Sequence, residues 1–134
     1  MNQITFIKLI KTSAWYDLFV TWVLTIPITS IFLIDFLNII HSDFWLAHSF
    51  WSFDPIHMIF VNMLGAVSFF WAILRIKHAS RLLWYYDAVI RLVLAGIILF
   101  YLCYYNISLL LLSFFFTEII FGFLQITFFY KTKK

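Results

Sequence analysis

The sequence predicts an all-α protein, a four-helix transmembrane bundle with the N and C termini both cytoplasmic. Three observations carry this prediction. First, the 134 residues are 65% hydrophobic and only 11% charged, with a mean hydropathy of +1.01. A soluble domain carries about 25% charged residues, so this chain cannot cover a water-facing surface and takes lipid as its solvent. Second, four apolar runs each reach the ~20 residues that a spanning helix needs. Third, the runs are continuously apolar. No formal charge occurs across residues 92–117, whereas a transmembrane barrel needs alternating apolar and polar positions. Residues 1–134 read as one integral-membrane domain.

The elements follow in order. Span one covers about 16–38, with Pro27 near its middle. Proline removes one backbone donor and leaves the Val23 carbonyl without its helical partner; Thr25 and Thr29 flank it and are placed to satisfy freed groups. The expected result is a fixed kink. The following loop is crowded with Phe44, Trp45, Phe50, Trp51 and Phe53. Rings of this kind settle at headgroup level, and about 40–52 reads as a short interfacial helix in the external loop between spans one and two. Span two covers about 55–74 and opens on Asp54-Pro55, a cap residue followed by proline at the first helical position. Span three covers about 82–104 and span four about 108–130.

Orientation follows from the basic residues. Lys8 and Lys11 precede span one, Arg75, Lys77 and Arg81 lie between spans two and three, and Lys131, Lys133 and Lys134 follow span four. The opposite loops hold no Lys or Arg. The positive-inside rule then places both termini in the cytoplasm and argues against dual topology. The expected location is a plasma membrane, of the bacterial inner-membrane type. No internal repeat suggests an inverted-repeat transporter within one chain. The formal charge of +3 sits in short clusters flanking apolar runs, so no nucleic acid is expected as a partner. Cys103 is the only cysteine, which excludes an intrachain disulfide.

The ninth basic residue, Arg91, falls inside span three, and Glu118 falls inside span four. A charge near the bilayer centre costs about 2.5–3.5 kcal/mol on insertion scales, and such residues mark functional sites by default. At ~1.5 Å rise per residue, Arg91 lies roughly 15 Å past Arg81 and Glu118 roughly 18 Å before Tyr130. Asn62, thirteen residues before Arg75, reaches a similar level. Asp87, Gln125 and Thr21 form a shallower layer, and Asp17 lies nearer the cytoplasmic edge. Asp87 and Arg91 are four apart and share a helix face. Glu118, Gly122 and Gln125 form one stripe, Asp17, Thr21 and Thr25 another, and Met58, Asn62 and Gly65 a third. Gly65 and Gly122 would let backbones approach closely.

Arg91, Glu118, Asp87, Asn62, Gln125 and Asp17 are therefore the candidate ligand-binding residues. The competing reading is that an Asp87–Arg91–Glu118 cluster merely fastens two helices and sets their register. His41, Asp43, His48, Asp54 and His57 gather on the external side. Imidazole and carboxylate are common metal ligands, but this spacing matches no dense ligand motif, so no metal and no cofactor is expected.

The pattern of Asp17, Pro27, Asn62-Met-Leu-Gly65, Arg75, Asp87, Arg91 and Glu118 resembles small four-span bacterial inner-membrane proteins of uncharacterised activity. In size and layout alone the chain is similar to the DoxX-like and sterol-isomerase-related (EXPERA) bundles. These resemblances imply the four-helix layout and assign no activity to any residue.

The expected function is non-enzymatic: an integral-membrane binding or accessory protein. It would have a polar intramembrane site for a lipid-like or small lipophilic ligand, with membrane lipid as its first partner. Arg91 would hold the head of that ligand, Asp87 and Glu118 would balance its charge, and Asn62 and Gln125 would orient it. In an accessory role it would be a subunit of a larger membrane complex, with Glu118 or Arg91 pairing with a partner helix. One alternative is a small proton-coupled transporter working as a homo-oligomer, with Glu118 exchanging the proton. The other is a lipid-modifying enzyme in which Asp87 or Glu118 acts as acid or base, although no nucleophile motif supports it.

Overall fold

A chain this apolar must satisfy its backbone groups internally, and it does so with helices. The computed structural model describes residues 3–43, 53–78, 80–105 and 108–131, with side chains of the first stretch described from residue 7 to 41. Five α-helices follow one another: α1 (Gln3–Thr25), α2 (Pro27–Asp43), α3 (Pro55–Lys77), α4 (Arg81–Tyr105) and α5 (Leu111–Lys131). Three of them, α3, α4 and α5, are each long and apolar enough to cross a membrane. The pair α1–α2, taken as one bent unit, makes a fourth candidate. Large apolar side chains such as Phe19, Phe32, Phe60, Val67, Phe70 and Val93 are exposed on the outside, as lipid-facing positions of a multi-pass membrane protein would be.

The first run, expected as one kinked span over 16–38, is divided far more sharply than a kink. It breaks at Ile26 into two helices whose axes are bent by 102°. Pro27 opens α2, where its missing N–H costs nothing, but it cannot serve the Val23 carbonyl one turn back. Thr29 Oγ1 donates to that carbonyl at 2.6 Å instead. The neighbouring Leu24 carbonyl accepts from Asn62 Nδ2 of α3 at 2.8 Å. The same nitrogen donates to Ser30 Oγ at 2.8 Å, and Ser30 Oγ donates in turn to the Pro27 carbonyl at 2.9 Å. Neutral side chains of α2 and α3 thus serve the carbonyls left open at the break. A bend this large is possible because the carbonyls it frees find partners elsewhere.

The other ends are simpler. Asp54, extended at φ −69° and ψ 158°, precedes Pro55 at the start of α3. Its backbone N–H donates to His57 Nδ1 at 3.3 Å. His78 closes α3 by donating its N–H to the Leu74 carbonyl at 2.8 Å. Ser108 precedes α5, its carbonyl accepting from Leu111 N–H at 3.1 Å. The predicted start of span four at 108 is therefore a cap and turn, and the helix begins at Leu111. Of the interfacial helix expected over 40–52, residues 40–43 complete α2 and the rest lies outside the described residues.

Packing joins the helices two by two. α1 runs antiparallel to α3 with Leu24 against Gly65, where a Cβ would come within 2.7 Å of the Leu24 backbone. Only a glycine lets the two backbones approach so closely. α4 and α5 pair likewise, with Gly122 against Leu92. Between these pairs contact is light: α1 touches α5 only briefly. A small apolar cluster of Ile10 and Trp84, flanked by Ile7, Leu83 and Phe128, closes one end of this seam. At the opposite end α2 reaches across to the α4–α5 turn, where His41 Nδ1 lies 2.9 Å from Ser108 Oγ. Between the two ends, the seam is filled by charge.

Candidate functional site

Each of the four long helices sends polar side chains to the seam from a stripe set by the helical repeat. On α1 the buried or half-buried stripe is Ile10, Ser13, Ala14, Asp17 and Thr21. On α3 the buried positions are Gly65, Ala72 and Arg75. α4 buries Trp84, Asp87, Ala88, Arg91 and Ala95, and α5 buries Gly122 and Gln125. Spacings of three, four and seven put each set on one face.

Asp87 is the hub. Its carboxylate accepts from Arg75 Nη1 at 2.6 Å, Trp71 Nε1 at 3.0 Å, Gln125 Nε2 at 2.9 Å and Arg91 Nε at 3.2 Å. Arg91 is the second centre. Its remaining nitrogens donate to Glu118 Oε2 at 2.8 Å and to Asp17 Oδ2. Arg75 Nη2 also donates to Asp17 Oδ2. Gln125 Nε2 reaches α1 through Ser13 Oγ at 3.1 Å. Arg91 further lies over the Phe121 ring, 5.2 Å from its centroid. The network crosses the seam four times: Arg75–Asp87, Trp71–Asp87, Arg91–Asp17 and Gln125–Ser13. It is what joins the α1–α3 pair to the α4–α5 pair along the middle of the molecule.

Burial within the cluster is uneven. The side chains of Arg75, Arg91 and Asp87 are 1%, 3% and 4% exposed, those of Asp17 and Glu118 16% and 18%. The two guanidiniums and the hub carboxylate are sealed, and the outer two carboxylates reach an opening. A pocket of about 110 Å³ lies there, with Asp17, Thr21, Trp71, Arg75, Arg91 and Glu118 among its lining. At about 30 Å³ per water, it holds three or four waters, or one small polar group. Three carboxylates face two guanidiniums, leaving one formal negative charge in excess. Arg75 Nε and Gln125 Oε1 are buried without a hydrogen-bond partner among the described residues.

Five of the six candidate residues thus meet: Arg91, Glu118, Asp87, Gln125 and Asp17. Asn62 does not join them. Its amide is spent on the α1–α2 break, and five residues of α3 separate it from Ser68, which lines the pocket. Depth along an axis placed Asn62 level with Arg91; the bend of α1 drew it to a different task. The residue that sequence reasoning missed is Arg75. It sits among Lys77 and Arg81 and reads as a topology signal, yet it is the most buried charge in the cluster. The stripe of Met58, Asn62 and Gly65, continued by steps of three and four through Ala72, arrives at Arg75, and that continuation was the available signal.

The histidines expected on the external side scatter. His41 pairs with Ser108 and His57 with the Asp54 backbone. His48 and the Asp43 side chain lie outside the described residues. Among the described residues no group of three or more His, Cys, Asp or Glu side chains is gathered to hold a metal. Comparison with protein families, with curated proteins and with solved structures finds no match, so the reading of this site rests on the chain's own residues.

Proposed function

We propose that this chain is an integral-membrane binding protein: a four-span bundle, termini cytoplasmic, whose charged seam receives the polar head of a small lipophilic or lipid-like molecule. The observation that carries the reading is the opening beside Asp17 and Glu118. These two carboxylates are the exposed members of an otherwise sealed cluster, and the pocket they line also contains Arg75, whose buried Nε has no partner among the described residues. A head with one donor and one acceptor, such as a hydroxyl, complements that set. At about 110 Å³ the pocket admits a head and no more, since drug-sized ligands fill roughly 300–1,000 Å³; the tail would lie along the helices in lipid. Arg91, with all three nitrogens committed to carboxylates, holds Asp17 and Glu118 in place, a different role from the direct head contact its position first suggests.

The test is native mass spectrometry of protein released from its own membrane. A co-purifying lipophilic mass is expected, lost in Glu118→Leu and retained in Glu118→Gln, which keeps an acceptor. Wild-type protein free of any such mass, or a mass equally abundant in Glu118→Leu, overturns the reading.

One observation favours a second reading, proton-coupled transport by an oligomer: the cluster carries one carboxylate more than its guanidiniums neutralise, and among the described residues the Glu118 carboxylate pairs with Arg91 alone. In that case liposomes containing the protein show a proton flux that Glu118→Gln abolishes.

A further inference from the structure

The break that separates α1 from α2 also builds a second concavity, on the far side of the Leu24–Gly65 contact from the charged pocket. α2 and α3 meet at Ser30 and Asn62. Beyond that point they leave a groove of about 640 Å³ between them. Its walls are two helical stripes. α2 contributes Ile31, Ile34, Asp35 and Asn38, at steps of three, one and three, and α3 contributes Pro55, Met58, Ile59 and Asn62 at the same steps. Each is a single helix face, so the groove is lined along its length and not by a chance gap between side chains. Its volume falls within the range of small-molecule sites. The backbone approach at Gly65, where a Cβ would meet Leu24 at 2.7 Å, closes the path from this groove to the Arg91 cluster.

The lining is apolar with three polar positions, and one of them is charged. Asp35 is exposed and makes no ion pair or hydrogen bond among the described residues. No Lys or Arg occurs anywhere in residues 26–74, and the two basic residues of α3, Arg75 and Lys77, lie in its last turn, at the far end from the groove. The Asn62 nitrogen is committed to Leu24 and Ser30, which leaves its amide oxygen as the binding atom. The groove therefore offers acceptors, one of them anionic, beside hydrocarbon. An anionic head would be repelled and a neutral one would leave the carboxylate uncompensated.

We propose that the α2–α3 groove binds an amphiphilic primary amine, its ammonium on the Asp35 carboxylate and within reach of the Asn62 oxygen, its hydrocarbon body between Ile31, Ile34, Met58 and Ile59. The site is separate from the charged seam and stands whether or not the seam binds a ligand.

The experiment uses the full chain in phosphatidylcholine nanodiscs with a dodecylamine carrying a diazirine on its chain, and maps the photo-adducts by peptide mass spectrometry. Adducts are expected in the peptides holding residues 31–38 and 56–62. Asp35→Asn should weaken them about tenfold, the loss expected for one charge-assisted hydrogen bond, and Asp35→Glu should retain them. The matching diazirine sulfate and alcohol should label at the Asp35→Asn level. Equal labelling of wild type and Asp35→Asn, equal labelling by the sulfate, or adducts spread evenly over the outer faces of α4 and α5 overturns the proposal. Glu118→Gln distinguishes the two sites: it should leave groove adducts unchanged, and their loss would show that the amine is held at the seam instead. Since Asp35 is exposed, neither of its variants threatens the fold.

Discussion

The charged seam and the α1–α2 break solve the same problem by opposite chemistry. Both place polar groups inside an apolar protein. The seam does it with full charges drawn from four helices, so that every guanidinium nitrogen but Arg75 Nε finds a carboxylate. The break uses only neutral groups, Thr29, Ser30 and Asn62, to serve carbonyls that proline leaves open. The difference lies in what each can tolerate losing. A missing neutral donor strands one carbonyl, and a missing Asp87 or Asp17 takes a partner from two buried cations at once.

That contrast can be broken by experiment, and the largest effect should come from the hub. Asp87→Ala removes the more buried of the two carboxylates that Arg75 and Arg91 share and should destabilise the protein by about 3–5 kcal/mol, the cost of breaking a buried pair from one side. Reversible unfolding in mixed micelles reads this directly. A loss under about 1 kcal/mol, the value of exposed pairs, would mean that water already screens the seam and that the two regions do not differ in kind.

Gly65→Ala probes the wall between them. Its new methyl would sit 2.7 Å from the Leu24 backbone, so α1 and α3 must move apart at a cost of about 1–3 kcal/mol, typical of overpacking. The same unfolding assay applies. Because the shift loosens both the Asn62–Leu24 bond and the Arg75–Asp17 contact, the Gly65→Ala and Asp87→Ala effects should not add. Simple additivity would show that the regions are independent.

Thr29→Val removes the donor to the Val23 carbonyl while keeping the shape. It should cost about 1 kcal/mol, the net worth of one neutral hydrogen bond, and spin labels on α1 and α2 should report an altered angle at the bend. If Thr29→Val instead matches Asp87→Ala, the break is the structural keystone and the seam is not.

The smallest effect provides the control. Gly96 lies on α4 with nothing within 4 Å of an added Cβ, so Gly96→Ala should leave stability unchanged or raise it by up to ~1 kcal/mol through helix propensity. A destabilisation there would point to a contact at this face made by another molecule, which a cross-linking assay in the membrane would reveal.

Much of this was legible in the chain. Continuous apolar runs dictate helices because lipid offers the backbone no other donors or acceptors. The spacing of Asp87 and Arg91, and of Glu118, Gly122 and Gln125, fixes them to common faces before any tertiary contact is considered. The freed Val23 carbonyl at Pro27, and Thr29 as a group able to serve it, also follow from local chemistry alone. What the residues could not state by themselves was direction. Distance along a helix axis gives depth but not partners: Asn62 sits on the unbroken α3, and its amide went to Leu24 and Ser30 at the 102° break between α1 and α2 because that break left a carbonyl open beside it. Likewise Arg75 resembles its cationic neighbours in sequence, and only the meeting of α1, α3 and α4 turned its side chain from the surface to the seam. Local spacing settles which side chains share a face; which faces come together is settled by packing between distant segments, because that choice depends on partners the local sequence does not contain.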